Sequence, residues 1–428
     1  MDKFVIRGGN PLLGTIKVSG AKNSALPCMA AAILTAEEVV LENIPQVRDI
    51  ETERRLLESM GAHVELGYGR AQHRTTLQCG VLSDPVAKYE IVKTMRASSL
   101  VLGPLVARTG MARVAMPGGC AIGGRPIDLH IKGLEAMGCT ILQEHGYLEA
   151  RAPQNGLQAA HIVFDKITVT GTEDLLMAAA LAEGESVFEN CAREPEVTDL
   201  AAMLNAMGAQ IEGAGTSTIR IQGVSRLHGA RHRINPDRIE AGTFLIAGAI
   251  TGGELNVDGC NPQHLGSVIA KLEACGVRLD VGAENVRVHA GGALKATDIS
   301  TEEYPGFPTD MQAQFMALLT QCEGSSTVTE NIFENRFMHV QELNRMGANI
   351  SVNGRTATVK GKAPLQSAAV MCSDLRASAA LVLAALVADG ESILDRVYHM
   401  DRGYERLEEK LRGVGAQIRR MGEVFSKR

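Results

Sequence analysis

The stretch Leu134-Glu135-Ala136-Met137-Gly138 represents a pattern that recurs along the whole chain of 428 residues. In each copy a leucine stands four residues before a glycine, and a small residue and the start of an apolar segment follow. The glycines of successive copies are separated by 77, 70, 68, 71 and 68 residues, and they are Gly61, Gly138, Gly208, Gly276, Gly347 and Gly415. The pattern predicts six helices that each end at a left-handed glycine and lead into a strand.

Alanine-rich apolar runs lie between these glycines and indicate a second helix in each repeat. Residues 175–183 and 376–388 are such runs, and each precedes a glycine turn and a segment with β propensity. A repeat of about 70 residues is larger than the 20–45 residues of solenoid repeats. Single hydrophobic cores stop growing at about 250–300 residues. We therefore expect two globular α/β domains of three repeats each, with the basic stretch 226–238 as the crossing between them.

Composition excludes several classes of protein. Hydrophobic residues make up 45% of the chain, which is too many for a disordered protein. A net charge of −6 and the absence of tryptophan argue against a nucleic-acid-binding surface. The chain begins without an apolar leader segment and contains no apolar run of about 18 residues, so we expect a cytoplasmic protein without membrane insertion.

The nine cysteines are scattered and show neither a CxxC pair nor a zinc-ligand spacing. They are therefore expected to be reduced thiols, most of them buried as packing residues. Cys120 is the exception, because it lies in the glycine-rich segment 117–126 (PGGCAIGGRP), five residues before Arg125. Such surroundings lower a thiol pKa and permit acid or nucleophilic chemistry, whereas the alternative is a surface loop with a chance cysteine. A phosphate-binding P-loop is excluded, because Arg125 and Pro126 stand where Lys and Ser/Thr are needed.

Other candidates are polar interruptions in apolar repeats. Lys22 precedes the apolar run 25–36, so it is expected at a helix N-terminus, as an anion ligand or as a solvated lysine. Asp310 precedes another apolar helix, where it is either an N-cap or a functional carboxylate. Residues 330–339 are polar and aromatic and indicate a binding loop rather than a strand. Arg96 and Arg376 occupy similar settings in different repeats, and Arg402 follows the strand-like segment 392–398. Isolated arginines such as these are usually surface charge. No metal-ligand or dinucleotide-binding pattern is present.

Six segments, in order, resemble motifs of the enolpyruvyl transferase family. They are SGAKNSALP (19–27), LGPLVAR (102–108), PGGCAIGGRPIDLH (117–130), FPTDMQAQF (307–315), ENRFMH (334–339) and DRGYERLE (401–408). The resemblance extends over essentially the whole chain. It implies a two-domain inside-out α/β barrel built from six βαβαββ-type repeats, three per domain. The implied domains are residues 22–235, with the Cys120 loop as a lid, and residues 1–21 plus 236–428, with Asp310 and Arg402. The active site is implied in the cleft between them.

The resemblance also implies an activity. The enolpyruvyl group of phosphoenolpyruvate would be transferred to the 3′-hydroxyl of UDP-N-acetylglucosamine with release of phosphate, the step that commits the sugar to peptidoglycan. Cys120 would be the acid that protonates C3 of phosphoenolpyruvate, or add to it covalently, and Asp310 would be the base for the hydroxyl. No cofactor and no metal are implied.

The resemblance assigns the remaining site residues by position. Lys22 and Arg402 complete the catalytic set. The expected phosphoenolpyruvate ligands are Lys22, Asn23, Cys120, Arg125 and Arg402. The expected UDP-N-acetylglucosamine ligands are Asn23, Arg96, Arg125, Pro126, Ile127, Asp128, Leu129, Lys166, Thr168, Val169, Asp310 and Ile332. Arg336 and Arg376 are expected elsewhere in the same cleft.

Two alternatives have different sequence requirements. The sister enzymes that transfer enolpyruvyl to shikimate 3-phosphate share the sixfold fold but lack the PGGC segment. A non-catalytic repeat scaffold would explain the repeats, but not Cys120, Asp310 and basic residues in separate repeats. Thr170 stands where the family often has glycine, so the chain departs from the family pattern beside the expected nucleotide ligands Thr168 and Val169.

Overall fold

The computed structural model describes residues 2–67, 73–116 and 127–422, with only the backbone of Arg96. The chain divides into two compact units. The first unit contains residues 20–116 and 127–235, and the second unit contains residues 2–19 and 236–422. Each unit has its own continuous hydrophobic core.

The helices of the two units are numbered in chain order. Those of the first unit are α1 (Lys22–Ala31), α2 (Arg48–Ser59), α3 (Tyr89–Val92), α4 (Leu102–Thr109), α5 (Asp128–Ala136), α6 (Val169–Ala179) and α7 (Pro195–Ala206). Those of the second unit are α8 (Arg238–Ile250), α9 (Gly266–Ala274), α10 (Gln312–Leu319), α11 (His339–Arg345), α12 (Leu375–Val387) and α13 (Leu407–Gly413). Short 3-10 helices lie at Ala32–Leu34, Arg96–Val101, Pro262–Leu265, Thr309–Met311 and Val397–Arg402. Within the described residues, no helix has both the length and the hydropathy needed to cross a membrane.

The strands are likewise numbered in chain order. They are β1 (Lys3–Arg7), β2 (Leu13–Lys17), β3 (Glu38–Glu42), β4 (His63–Leu66), β5 (Arg74–Gln78), β6 (Val86–Ala87), β7 (Met111–Ala115), β8 (Thr140–Glu144), β9 (Tyr147–Arg151), β10 (His161–Val163), β11 (Glu185–Glu189) and β12 (Gln210–Glu212). The chain continues with β13 (Thr218–Gln222), β14 (Arg231–Arg233), β15 (Glu254–Asp258), β16 (Leu279–Val281), β17 (Asn285–Val288), β18 (Ile299–Ser300), β19 (Gly324–Thr329), β20 (Asn349–Asn353), β21 (Thr356–Gly361), β22 (Ala369–Met371), β23 (Glu391–Asp395) and β24 (Gln417–Met421).

The strands form four-stranded sheets of one design, three in each unit. In the sheet β10-β11-β13-β12, β10 and β11 are parallel and the other two pairings are antiparallel. A central helix connects each parallel pair that is continuous in sequence, as α6 connects β10 to β11, in a βαβ crossover. The same pairing pattern recurs in the sheets β14-β3-β5-β4, β6-β7-β9-β8, β16-β17-β15-β2, β18-β19-β21-β20 and β22-β23-β1-β24.

Three strands join sheets that lie far from them in sequence. The N-terminal β1 pairs with β23 and β24, so the first strand of the chain completes the last sheet. In the second unit β2 is the parallel edge strand beside β15, and in the first unit β14 is the parallel edge strand beside β3. Each unit therefore contains strands from distant parts of the chain.

In each unit the most buried helices lie among the sheets. In α8 every residue from 239 to 250 is buried, and the same holds for residues 312–319 of α10 and 376–386 of α12. A helix that is apolar on all sides is stable only when it is enclosed. The sheet strands instead alternate between buried and exposed residues, as β13 does. Helices inside and sheets outside give the predicted inside-out α/β architecture, which is confirmed.

The six glycines of the repeat pattern all have left-handed backbone conformations, with φ between +84° and +104°. The backbone N–H of the residue after each glycine donates to the carbonyl of the repeat leucine, as Cys139 does to Leu134 at 2.9 Å. This is the Schellman arrangement, which satisfies carbonyls at a helix end. The repeat leucines are at most 1% exposed. The predicted helix ends are therefore confirmed, and the leucine and glycine are required by the same turn.

Candidate active site

Asp310 lies between two arginines in the second unit. Its Oδ1 atom is 2.7 Å from Nη2 of Arg336, and its Oδ2 atom is 2.9 Å from Nη2 and 3.1 Å from Nε of Arg376. The side chains of Arg336 and Arg376 are 8% and 6% exposed, whereas that of Asp310 is 27% exposed. No side chain caps α10, so the N-cap interpretation of Asp310 is wrong, and so is the surface interpretation of Arg376.

The two arginines determine the charge of this carboxylate. Burial by itself would raise the pKa of Asp310, but Arg376 and Arg336 outweigh it and hold that pKa well below its usual range. Asp310 is therefore ionised at neutral pH. Its remaining exposure leaves the carboxylate accessible to a small molecule.

Glu330 organises the irregular segment 330–338, which contains Ile332 and Arg336. Its fully buried carboxylate accepts hydrogen bonds from the hydroxyl of Thr309 and from the backbone N–H groups of Ile332 and Phe333 at 3.0 and 3.1 Å. Arg336 in turn donates from Nη1 to the Thr309 hydroxyl at 2.7 Å. The segment is irregular, as predicted, and a buried carboxylate fixes its backbone.

Residues from the N-terminal halves of three helices of the second unit lie near Asp310. Arg376 lies in the first turn of α12, and Asp310 lies in the 3-10 helix Thr309–Met311 that directly precedes α10. Gln314 of α10 donates to the Asp310 carbonyl at 2.8 Å and lies 3.3 Å from the hydroxyl of Thr243 on α8. Helix N-termini carry partial positive charge, so this end of the unit favours anions.

Lys22 is the first residue of α1 in the first unit. Its Nζ atom lies 3.1 Å from Oδ2 of Asp49 on α2, and the two side chains are 13% and 4% exposed. The interpretation of Lys22 as a solvated lysine is therefore wrong. Asn23 follows it as an exposed residue. A cation is thus held at a helix N-terminus by a buried carboxylate.

Glu53 lies one helical turn after Asp49 and is fully buried. Neither carboxylate oxygen has a hydrogen-bond partner within the described residues. Burial, together with the charge of Asp49, raises the pKa of Glu53 to about 8. The side chain is therefore mostly a neutral acid at pH 7.

The expected nucleotide-sugar ligands of the first unit lie at two further helix starts. Ile127 is buried and precedes α5, which begins with the exposed Asp128 and the half-buried Leu129. Lys166 is exposed, and Thr168 caps α6 by accepting a hydrogen bond from the backbone N–H of Gly171 at 3.1 Å. Val169 is the first residue of α6. These placements fit an anion-binding role, and the assignments themselves stay predictions.

Several predicted residues lie outside the described part of the protein. They are Cys120, Arg125 and Pro126, together with the side chain of Arg96. Arg402 is described, at the end of the 3-10 helix Val397–Arg402, and it is partly exposed. The eight other cysteines are all buried free thiols, as predicted.

Sequence reasoning missed the partners of the candidate residues. Asp49 lies on the amphipathic helix α2 and has the sequence pattern of a surface residue, while Glu330 resembles an ordinary loop acid. Asp310 and Arg336 both belong to motifs of the family resemblance, but their pairing across 26 residues has no local sequence signature. Within the described ranges, no three His, Cys, Asp or Glu side chains are placed to hold a metal ion.

Curated relatives match the chain over its whole length. The UDP-N-acetylglucosamine 1-carboxyvinyltransferase of Acidobacterium capsulatum is 79% identical over 427 residues, covering 100% of this chain and 98% of the relative. The enzyme of that name from Koribacter versatilis is 72% identical with the same coverage. The one from Solibacter usitatus is 62% identical over 98% of this chain and 100% of the relative.

A solved structure and a family profile place the chain among the enolpyruvyl transferases. The enolpyruvyl transferase NikO from Streptomyces tendae superposes with a TM-score of 0.87 at 26% identity, covering 98% of this chain and 99% of that one. An EPSP synthase from Acinetobacter baumannii superposes with a TM-score of 0.75 at 19% identity, over 99% of this chain and 100% of that one, and this likeness concerns the fold alone. The profile of EPSP synthase (3-phosphoshikimate 1-carboxyvinyltransferase) matches residues 6–411. The chain therefore belongs to the EPSP synthase family of enolpyruvyl transferases.

Proposed function

We propose that this protein transfers the enolpyruvyl group of phosphoenolpyruvate to the 3′-hydroxyl of UDP-N-acetylglucosamine and releases phosphate. The full-length identity of 79% to an enzyme named UDP-N-acetylglucosamine 1-carboxyvinyltransferase carries this proposal. The family profile is named after the shikimate 3-phosphate enzyme, but relatives at 62–79% identity favour the nucleotide sugar as acceptor. The protein is a transferase, and its proposed place is peptidoglycan synthesis in the cytoplasm.

The proposed reaction is an addition followed by an elimination. Cys120 delivers a proton to C3 of phosphoenolpyruvate, which gives C2 oxocarbenium character, and the sugar oxygen bonds to C2. Phosphate then leaves C2 as C3 gives a proton back to the Cys120 thiolate, so the thiol and the double bond of the product ether are both restored. No redox change occurs, and the leaving group is already present on the substrate.

Asp310 is proposed as the base that takes the hydroxyl proton. A carboxylate whose pKa is held low is a weak base toward a neutral hydroxyl. The hydroxyl proton becomes acidic as its oxygen bonds to the electron-deficient C2, so transfer to Asp310 becomes favourable late in that step. The pairing with Arg336 and Arg376 keeps the carboxylate ionised and oriented before the reaction begins.

Phosphoenolpyruvate carries a phosphate and a carboxylate, so its binding requires fixed cations. The proposed ligands are Lys22, Asn23, Arg125 and Arg402, with Cys120 at the reacting carbon. The attachment of Lys22 to Asp49 supports this proposal, because it presents an ammonium group whose position is already restricted.

Phosphate release distinguishes the possible functions. The protein is incubated with phosphoenolpyruvate and either UDP-N-acetylglucosamine or shikimate 3-phosphate, and inorganic phosphate is measured over time. The proposal expects release with the nucleotide sugar and a product heavier than that sugar by one enolpyruvyl group. Release only with shikimate 3-phosphate, or with neither acceptor, would disprove it.

A further inference from the structure

We infer that Tyr404 is a positioning residue that holds Asp310 in its working geometry through Gln314 and Thr243, and that supports Arg376 directly with its ring. This inference rests on the proposed function, in which Asp310 acts as the base. Tyr404 lies in the segment that follows the 3-10 helix containing Arg402, and its side chain is 2% exposed. Tyr404 is therefore expected to support Asp310 from the interior of the unit.

The hydroxyl group of Tyr404 connects two helices. Its oxygen lies 2.9 Å from the Thr243 hydroxyl and 3.2 Å from Nε2 of Gln314. Thr243 donates its one hydroxyl hydrogen to the carbonyl of Ile239 at 2.8 Å, so Tyr404 is the donor to Thr243. The Tyr404 oxygen can then accept a hydrogen from Gln314.

Gln314 connects the Tyr404 hydroxyl to the backbone of Asp310. The nearest acceptors for the two hydrogens of its side-chain amide are the Asp310 carbonyl at 2.8 Å and the Tyr404 oxygen at 3.2 Å. These two hydrogen bonds fix the plane of the Gln314 amide, and the bond to the carbonyl holds the backbone of Asp310 against α10. Thr243 and Gln314 are 3% and 0% exposed, so water does not replace a lost partner easily.

The ring of Tyr404 contacts the other partner of Asp310. The guanidinium carbon of Arg376 lies 5.4 Å from the ring centroid, within the range of a cation–π interaction. Burial raises the pKa of the Tyr404 hydroxyl against the opposing charge of Arg376, so the hydroxyl keeps its proton. One side chain thus supports the arginine with its ring and the backbone of the aspartate with its hydroxyl.

Replacing Tyr404 with phenylalanine tests the hydroxyl alone. Tyr404→Phe keeps the ring under Arg376 but removes the acceptor for Gln314 and the donor to Thr243. We expect kcat for phosphate release to fall about 10-fold while KM for both substrates stays within about twofold, because a displaced base slows the chemical step rather than binding. The matched control is Tyr147→Phe, which removes a hydroxyl that accepts a backbone N–H at 3.3 Å in the first unit. It should leave kcat unchanged.

A second pair of variants separates positioning from packing. Thr243→Val removes the hydroxyl at constant shape and should lower kcat, whereas Thr243→Ser keeps the hydroxyl and should restore most of it. Unchanged kcat in both Tyr404→Phe and Thr243→Val, equal losses in Thr243→Val and Thr243→Ser, or a rise in KM alone would each overturn the inference. If Tyr404→Phe does not fold, as judged by circular dichroism, the Thr243 pair decides. Failure of the proposed function is distinct, because the unmodified protein would then release no phosphate with the nucleotide sugar.

Discussion

Asp310 and Arg376 are 66 residues apart in the chain, yet the carboxylate Oδ2 and the guanidinium Nη2 lie 2.9 Å apart. The guanidinium is almost completely buried, while a quarter of the aspartate side chain is accessible. The negative charge of Asp310 is therefore balanced by buried arginines, while part of its own side chain stays accessible. This arrangement fits a group that must remain ionised until a substrate reaches it.

Asp310→Asn should abolish most of the proposed activity. The amide keeps the size and one acceptor oxygen but cannot take a proton, so kcat should fall by at least about 100-fold. Steady-state phosphate release measures this effect, and circular dichroism checks the fold. Asp280→Asn is the control, because Asp280 is an exposed carboxylate paired with His289 on a sheet hairpin. Similar kinetics for both variants would contradict the role of Asp310.

Lys22→Met should weaken phosphoenolpyruvate binding. The change removes the ammonium group at the start of α1 but keeps most of the chain length, so KM for phosphoenolpyruvate should rise at least about 10-fold. Lys88→Met is the control, since Lys88 is a largely exposed lysine in an ion pair with Asp84. Initial rates at several phosphoenolpyruvate concentrations give KM for both variants. An unchanged KM for Lys22→Met would remove Lys22 from the proposed ligands.

Cys120 should be the one thiol that the epoxide antibiotic fosfomycin alkylates in the native protein. The eight other cysteines are buried and act as internal controls. Burial raises the pKa of several of them, Cys79 and Cys372 to about 11, which further lowers their reactivity. Peptide mass spectrometry after treatment in the presence of saturating UDP-N-acetylglucosamine should find the added mass on the Cys120 peptide. Labelling elsewhere, or none at all, would contradict the assignment of Cys120.

Glu53 should make the folded protein less stable as the pH rises. Its pKa is near 4.5 when unfolded and about 8 when folded, so the folded state binds the extra proton between these values. The resulting penalty begins near pH 4.5 and is complete above about pH 8. Glu53→Gln removes this titration, so its denaturant midpoint should decline less between pH 5.5 and 8.5 than that of the unmodified protein. Glu51→Gln is the control on the same helix. The hydrogen bond from Arg54 outweighs burial and lowers the pKa of Glu51, so the control should not flatten this decline.

The fold was predictable where a local backbone geometry requires a particular residue type. The repeat leucines and glycines predicted six helix ends, because a Schellman turn needs a left-handed residue and a buried anchor at fixed spacing. The pairings of β2 with β15 and of β14 with β3 were not predictable from periodicity. Edge strands of five and three residues have no sequence feature that indicates which strand they pair with. The family resemblance alone implied that the first residues join the second half of the chain.

The candidate site was predictable residue by residue but not as a network. Lys22 and Asp310 each stood out as polar residues before apolar helices, which is where helix N-termini place functional groups, whereas only the family resemblance assigned Arg376 to the site. Their partners Asp49, Arg336 and Tyr404 lie 26 to 28 residues away in the chain, and only the packing of the fold brings them together. The burial of Glu53 likewise depends on tertiary contacts that the pattern of α2 does not encode.

The pairing of β1 with β23 and β24 has a consequence for the order in which the protein matures on the ribosome. Residues 20–235 contain all the strands of the first unit's sheets, so that unit can assemble while the rest of the chain is still being synthesised. The strand β1 is synthesised before the first unit, whereas its partners, residues 391–395 and 417–421, are synthesised after that unit. Strands made before and after the first unit must therefore meet before the second unit is complete.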